Sequence, residues 1–194
     1  MKEIMPDLIV TSRLRLRPHG WRDVDDVFAF ASDSEWAHYL PVPQPYTKTD
    51  AEKFIARQLL LNREVNPSWA IEHAETVIGG INIRFDFDKR LGEIGYSIAR
   101  KYWGKGLTTE AARAVMAAAF STYADLNRIQ ARADARNTGS LRVMEKLGMT
   151  REGVLRQIRF VHGEFFDEVW CGILRSEWEV NCRNLNTVPK YQHP

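Results

Sequence analysis

The sequence predicts an α+β fold, built on one mostly antiparallel sheet that contains a single parallel strand pair. Three observations predict it. Between Ser68 and Ala99, three strand-like segments follow one another across short polar turns, which antiparallel neighbours can bridge. A helical stretch of roughly Leu107 to Ala124 then separates the last of them from another strand. Such a strand–helix–strand step needs a crossover, and a crossover joins parallel neighbours. The chain closes with two long strand-like runs joined around His162 and Gly163, the pattern of a hairpin.

Taken in order, "LIVTSRLRLRP" alternates Leu14 and Leu16 with Arg13, Arg15 and Arg17, the period of a half-buried strand ended by Pro18. Val24, Val27, Phe28 and Ala31 recur at helical spacing behind Asp23, a candidate N-cap. The proline-rich "LPVPQPYTKTD" is a loop. Thr49 with Glu52 reads as a capping box opening a helix over about Asp50 to Arg63. "SWAIE", "TVIGGINIRFDF" and "GEIGYSIA" are the three meander strands, and "RIQARADA" is the strand after the crossover helix. "NTGSLRVMEKLG" is a short helix with Asn137 as N-cap and Gly148 as its stop. One domain is expected over residues 1–178, with 179–194 as a loosely held tail.

With 194 residues, 44% apolar and 27% charged, the composition is that of a globular protein. Lys plus Arg number 27 against 25 Asp plus Glu, a formal charge of +2. That balance offers no broad basic field for nucleic acid, so any anion site must be local. Two cysteines, Cys171 and Cys182, are too few for a disulfide framework and fit a reduced, cytoplasmic compartment. No signal-peptide pattern or spanning apolar run occurs in the sequence, so neither secretion nor a membrane is expected. The five histidines show no metal-ligand spacing, and no metal is expected.

The most informative stretch is "YWGKGLTTEAARAVM", Tyr102 to Met116. Gly104 and Gly106 lead from a strand's carboxyl end into a helix, whose first N–H groups and dipole favour an anion. Glycine lets the backbone approach a pyrophosphate; Lys101 and Lys105 add charge, and Thr108 and Thr109 add hydroxyls. A P-loop would need another glycine upstream, and the dinucleotide fingerprint fails at Thr109, where its third glycine should stand.

"GEIGYSIARKYWGKGLTTEAARAVM", followed by "NRIQARADARNTGSLRVMEKLGMTREGVLR", resembles the GCN5-related N-acetyltransferases (GNAT). "TSRLRLRP" is similar to the opening strand of the RimJ/RimL-like branch, which acetylates protein N-termini. The likeness runs over about residues 8 to 175. It implies a six- or seven-stranded sheet with helices on both faces, its parallel central pair splayed apart, and acetyl-CoA as cosubstrate. The pyrophosphate loop would be Lys101 to Gly106, including Trp103, and would run into Leu107, Thr108 and Thr109. Lys101 stands where the family pattern has Arg or Gln. The pantetheine arm would lie along Ile98 and Ala99, with Asn137 hydrogen-bonded to it.

The same resemblance implies candidates for the chemistry. Glu93 would activate the amine, usually through water. Its alternative is a strand-end carboxylate paired with an arginine. Alternation places Glu93, Gly95 and Ser97 on one face, too polar to be simple core. Ser140 matches a serine able to protonate the departing thiolate, or it belongs to a helix cap. Arg159 falls where some ribosomal-protein acetylases carry a glutamate base, and a cation cannot take that role. Glu164, Asp167 and Glu168 lie in the same hairpin, their facing not fixed by the pattern. Acceptor recognition is expected at the proline-rich loop flanked by Trp36, Tyr39, Tyr46 and Trp69.

The expected function is acetyl transfer to a primary amine by direct attack, the acceptor being a protein N-terminal α-amine of the ribosomal-protein type. A small-molecule amine acceptor and a non-catalytic CoA-binding sensor are the alternatives. The long final hairpin also offers an edge for pairing two subunits as a homodimer.

Overall fold

In a computed structural model, which describes residues 4–184, the opening alternating run folds as two strands rather than one. Thr11 turns the chain: its N–H donates to the Leu14 carbonyl at 2.9 Å, and its hydroxyl accepts the Leu14 N–H at 3.0 Å. The strands β1 (Ile9–Val10) and β2 (Arg15–Arg17) therefore pair with each other. That hairpin raises the sheet to eight strands, above the six or seven expected.

The other elements are α1 (Val24–Ala31), α2 (Ser34–Ala37), α3 (Lys48–Leu59), β3 (Ser68–His73), β4 (Thr76–Asp86) and β5 (Leu91–Ile98). There follow α4 (Leu107–Thr122), β6 (Arg128–Asp134), α5 (Thr138–Lys146), β7 (Thr150–Val161), β8 (Glu164–Leu174) and α6 (Arg175–Asn184). Strand order is β1-β2-β3-β4-β5-β6-β8-β7, and β5–β6 is the one parallel pair.

Two caps differ from expectation. The capping box of α3 is Thr47 with Asp50, not Thr49 with Glu52. The second pair keeps the right spacing but begins two residues inside the helix, where backbone donors are already committed. Asp23 precedes α1 without capping it; its carboxylate accepts instead from Gly20 N and from both terminal nitrogens of Arg17. Asn137 does cap α5, accepting the Ser140 N–H at 3.0 Å, and Gly148 ends that helix region with φ +80°. Helix α6 docks Trp178 on Phe120 with centroids 5.8 Å apart and carries the chain through 179–184, the start of the expected tail; positions 185–194 of that tail lie outside the described residues.

The sheet separates two unlike layers. On one face Ile83, Phe85, Ile94 and Ile129 bury against the small-residue stripe Ala111, Ala112, Val115 and Ala119 of α4, since alanines let a helix approach closely while branched chains fill the remaining gap. The other face carries Gly80, Asn82 and Arg84 on β4 opposite Ser97, Gly95 and Glu93 on β5. A separate apolar cluster from α1, α2 and α3, including Val27, Trp36 and Ile55, roofs that side. Gly79 belongs to the β4–β5 pairing, where a Cβ would clash with the Ser97 carbonyl oxygen.

The roof is tied to the sheet by Arg17. It donates to Asp23 at 2.8 Å, to Glu72 at 2.6 Å and to the Pro18 carbonyl at 3.1 Å, with the Asp23 side chain only 2% exposed. Burial would raise the Asp23 carboxyl, but bonds from Arg17 and the Gly20 N–H outweigh it and hold the group below the ordinary range. A carboxyl depressed in this way lends stability above its unfolded value of about 3.9 and withdraws it as pH falls through the folded value. Asp23→Asn should therefore cost about 3 kcal/mol at pH 7, because Arg17 is left buried with a partner missing. In paired urea titrations that difference from the parent should shrink as the pH drops below about 4. A loss of equal size at both pH values would assign the effect to packing.

Candidate functional site

The site begins where a ladder stops. β5 and β6 are paired at Leu91–Arg128, Gly92–Ile129 and Glu93–Gln130, and no further. Beyond Glu93, β5 stays with β4 as far as Ile98, while β6 stays with β8 as far as Asp134. The two strands part into a V, with Glu93 at its vertex. Tyr96 spans toward α5, donating from its hydroxyl to the Ser140 carbonyl at 3.2 Å, and burial pushes its phenol well up.

At the carboxyl end of β5, Gly104 and Gly106 have φ of +74° and +76°, the left-handed region where glycine carries no Cβ penalty. A Cβ at Gly104 would meet no atom within 4 Å, and one at Gly106 would meet only Arg13 Nη2 at 3.7 Å. Backbone is thus presented to open space immediately before α4. The Lys101 and Lys105 ammonium groups both sit over the Tyr102 ring, 5.1 and 5.2 Å from its centroid. A phosphate fits this cradle on charge and shape. Of the two residues expected along the pantetheine arm, Ala99 spends its N–H on the Ile78 carbonyl, and the Ile98 carbonyl accepts the Trp103 indole N–H at 2.8 Å.

The sequence reading missed the clasp that fixes this turn. Arg13 donates to the Lys105 carbonyl at 3.0 Å and to Glu110 of α4 at 2.6 Å. Thr11, Ser12 and the Arg13 N–H all donate to the same carboxylate. Burial pushes the Glu110 carboxyl up, and these bonds more than reverse it, leaving the group below its usual range. Arg13 looked like the polar member of a strand alternation, because nothing local couples it to residues more than ninety positions away.

Under the helical roof the polar sheet face encloses a cavity of about 650 Å³, reaching from the V to the loop after α2. Glu93, Asn137 and Ser140 are brought together in its wall, with Tyr39, Leu40, Pro41 and Val42 of the loop opposite. Tyr39 lines that wall, as does Trp36, which also packs in the roof cluster. Tyr46 is buried in the roof cluster and Trp69 in the sheet core. His162 at the β7–β8 turn ties the loop down through the Leu40 carbonyl at 3.0 Å.

Glu93 sits in a charged chain. Its Oε1 accepts from Arg84 and Arg132, each at 3.3 Å, and its Oε2 accepts from Gln130 at 3.0 Å. Arg132 reaches on to Glu168, which also takes Arg159 at 3.1 Å. The arginine-paired arrangement weighed for Glu93 is thus present, yet Oε2 retains a lone pair for a water or an amine. Of the hairpin carboxylates, Glu168 alone enters the cavity wall, 2% exposed. Glu164 is an exposed partner of Arg136, and Asp167 accepts the Gln157 N–H. The Gln157 irregularity in β7, φ +50°, shifts that strand's register against β8, while the regular β6–β8 ladder pairs Glu168 with Asp134 and leaves Asp167 on the opposite face. Among the described residues there is no cluster suited to a metal ion, and no helix is long and apolar enough to cross a membrane.

Comparison with known proteins agrees with this architecture. The family model described as Acetyltransferase (GNAT) domain matches residues 13–150. The Bacillus subtilis protein YnaD, named an uncharacterized N-acetyltransferase, is 33% identical over 170 residues, covering 88% of this chain and 98% of its own. YdaF of the same species, provisionally named a ribosomal N-acetyltransferase, is 39% identical over 90 residues, or 46% of this chain and 49% of its own. A GNAT-family acetyltransferase structure from Bacillus anthracis superposes with a TM-score of 0.76 at 31% identity, covering 87% of this chain and 99% of that one. The microcin C7 self-immunity acetyltransferase MccE, solved with acetyl-CoA and AMP, shares the fold at 17% identity and a TM-score of 0.76, over 89% and 98% of the two chains. With the family model spanning most of the chain and the parallel pair opening where such a fold opens, this protein belongs to the GNAT family of acetyltransferases.

Proposed function

We propose that this acetyltransferase uses acetyl-CoA to acetylate the α-amine of a protein N-terminus, of the ribosomal-protein type, by direct attack. The observation that carries the reading is the single cavity joining the V between β5 and β6 to the loop-covered polar face, with Glu93 at the junction. When bound, acetyl-CoA supplies a thioester whose carbonyl carbon accepts the amine nitrogen as the carbon–sulfur bond breaks. The glycine turn and the α4 N-terminus would hold its pyrophosphate, with Lys101 and Lys105 adding charge. Asn137, already capping α5, would offer its remaining hydrogen-bonding capacity to the pantetheine arm. Ser140 would return a proton to the sulfur.

An α-amine suits a carboxylate already shared among three donors. Near pH 7.4 a lysine-like amine of pKa about 10.4 must give up roughly 4 kcal/mol to become neutral, an α-amine near 7.8 well under 1 kcal/mol. A water held on the free lone pair of Glu93 can accept so easily released a proton. YdaF, through its name, supports the ribosomal acceptor. A small-molecule amine is the second reading, favoured by the cavity's volume, which lies in the ordinary range for small ligands.

Replacing Gly106 by Val should weaken acetyl-CoA binding at least tenfold, about 1.4 kcal/mol by titration calorimetry, with the circular dichroism spectrum retained. Unchanged affinity in the folded variant would remove the phosphate assignment. Ser140→Ala should lower kcat while leaving acetyl-CoA affinity nearly unaltered, since its proton matters only as the thiolate forms; the opposite split would make Ser140 a binding residue. For Glu93→Gln, turnover at neutral pH should fall by roughly a hundredfold and recover as pH rises toward the acceptor's pKa. If that variant keeps the parent's pH–rate profile while chemistry limits the rate, the base lies elsewhere, with Glu168 next to be examined.

A further inference from the structure

The glycine turn combines free donors with a pliable backbone. Gly104 and Lys105 are exposed and Gly106 is half-buried. Their N–H groups meet no acceptor among the described residues, whereas those of Tyr102 and Trp103 just before them donate to the Ala99 and Arg100 carbonyls. Glycines at φ +74° and +76° stand on either side of Lys105, and glycine accepts more backbone conformations than any other residue. A phosphate that had to order such a turn would lose affinity to the conformational entropy removed. A turn ordered in advance avoids that loss.

The peptide between Lys105 and Gly106 is held from outside the turn. Arg13 Nη1 donates to its carbonyl oxygen at 3.0 Å. A trans peptide is planar, with C=O and N–H on opposite sides. Holding the carbonyl toward Arg13 therefore turns the Gly106 N–H away from it, to a side where no protein group accepts it. Arg13 is itself fixed, its Nε donating to Glu110 Oε2 at 2.6 Å with Nη2 also 2.6 Å from that oxygen. Glu110 lies in the first turn of α4, and its own N–H donates to the Gly106 carbonyl at 3.1 Å. The carbonyls of Lys105 and Gly106, one on each side of the Gly106 Cα, are thus both bonded to the Arg13–Glu110 pair. The hydroxyls of Thr11 and Ser12 and the Arg13 N–H hold the carboxylate from the β1–β2 turn.

We propose that Arg13 is a positioning residue for acetyl-CoA, aiming the Gly106 N–H at the pyrophosphate by holding the Lys105 carbonyl against Glu110 before the ligand arrives. A guanidinium suits the task, because its planar fork bonds a carbonyl and a carboxylate at once in a fixed geometry that a lysine ammonium does not reproduce. Arg13 takes no part in the cavity wall around Glu93, so its influence is confined to the phosphate end of the ligand. The inference rests on the reading of the glycine turn as the pyrophosphate cradle.

The test compares CoA, which carries the pyrophosphate, with S-acetylpantetheine, which ends before it. Arg13→Lys keeps the charge and removes the fork; Arg13→Ala removes both. By titration calorimetry each should weaken CoA binding about tenfold. The kcat/KM for S-acetylpantetheine, with an amine that the parent acetylates, should stay at the parent value, since that thioester makes no contact with the turn. In ligand-free protein labelled with nitrogen-15 glycine, the Gly106 amide resonance should move in Arg13→Lys while those of Gly95 and Gly163 stay. Parent CoA affinity in either folded variant, or a Gly106 resonance that does not move, would overturn the role given to Arg13 and leave the cradle standing. An equal loss with CoA and S-acetylpantetheine would also overturn it, assigning Arg13 to general packing. A parent that uses S-acetylpantetheine as efficiently as acetyl-CoA would overturn the pyrophosphate cradle and this inference together.

Discussion

Everything functional in this molecule depends on the point at which β5 and β6 stop pairing. A parallel pair that continued to Ile98 and Asp134 would leave a closed sheet, its backbone groups consumed by the ladder. Pairing instead ends at Glu93–Gln130, while each strand stays bonded on its other side to β4 or β8. The opening is thus held rigidly on both flanks. Backbone groups released from the ladder must find other partners, and on β5 the Ile98 carbonyl takes the Trp103 indole. One geometric break creates both an opening in the sheet and a vertex at which the Glu93 carboxylate stands.

The two faces of the sheet respond differently to that opening. Behind it, the alanine stripe of α4 seals the core against isoleucines and phenylalanine, which fixes the height of the α4 N-terminus relative to the glycine turn. In front, the packing is deliberately incomplete. The alternating chain of Arg84, Glu93, Arg132, Glu168 and Arg159 occupies the space where a second apolar layer would otherwise sit. A chain of this kind orients its inner members, since Glu93, Arg132 and Glu168 are each placed by two neighbours. Arg17 and Asp23 then join roof to sheet with a largely buried ion pair, a geometry that favours one orientation over stability for its own sake.

The sequence made the backbone devices legible wherever cause and effect are local. Gly104 and Gly106 announced a permissive turn before a helix; Asn137 announced a cap; Gly148 announced a stop. All three are found as such. It was less informative where two local signals competed, as at α3, whose cap is Thr47 rather than Thr49. The β1–β2 break was hidden because Thr11 fits a strand as well as a turn until its hydroxyl meets Leu14.

What the sequence determined by itself was the order and type of the elements from the meander to the final hairpin, the parallel step across α4 and the family to which the chain belongs. Each of these is carried by periodicity, turn chemistry or contiguous motifs. Only the tertiary structure decided which side chains share the cavity. Glu168 is there and Asp167 is not, because pairing with β6 opposite Asp134 turns Glu168 inward and its neighbour to the other face. Arg13 grips the glycine turn because the β1–β2 hairpin carries it to the start of α4, where Glu110 and the Lys105 carbonyl meet it. These placements depend on contacts between residues distant in the chain, and a linear pattern carries no record of such distances.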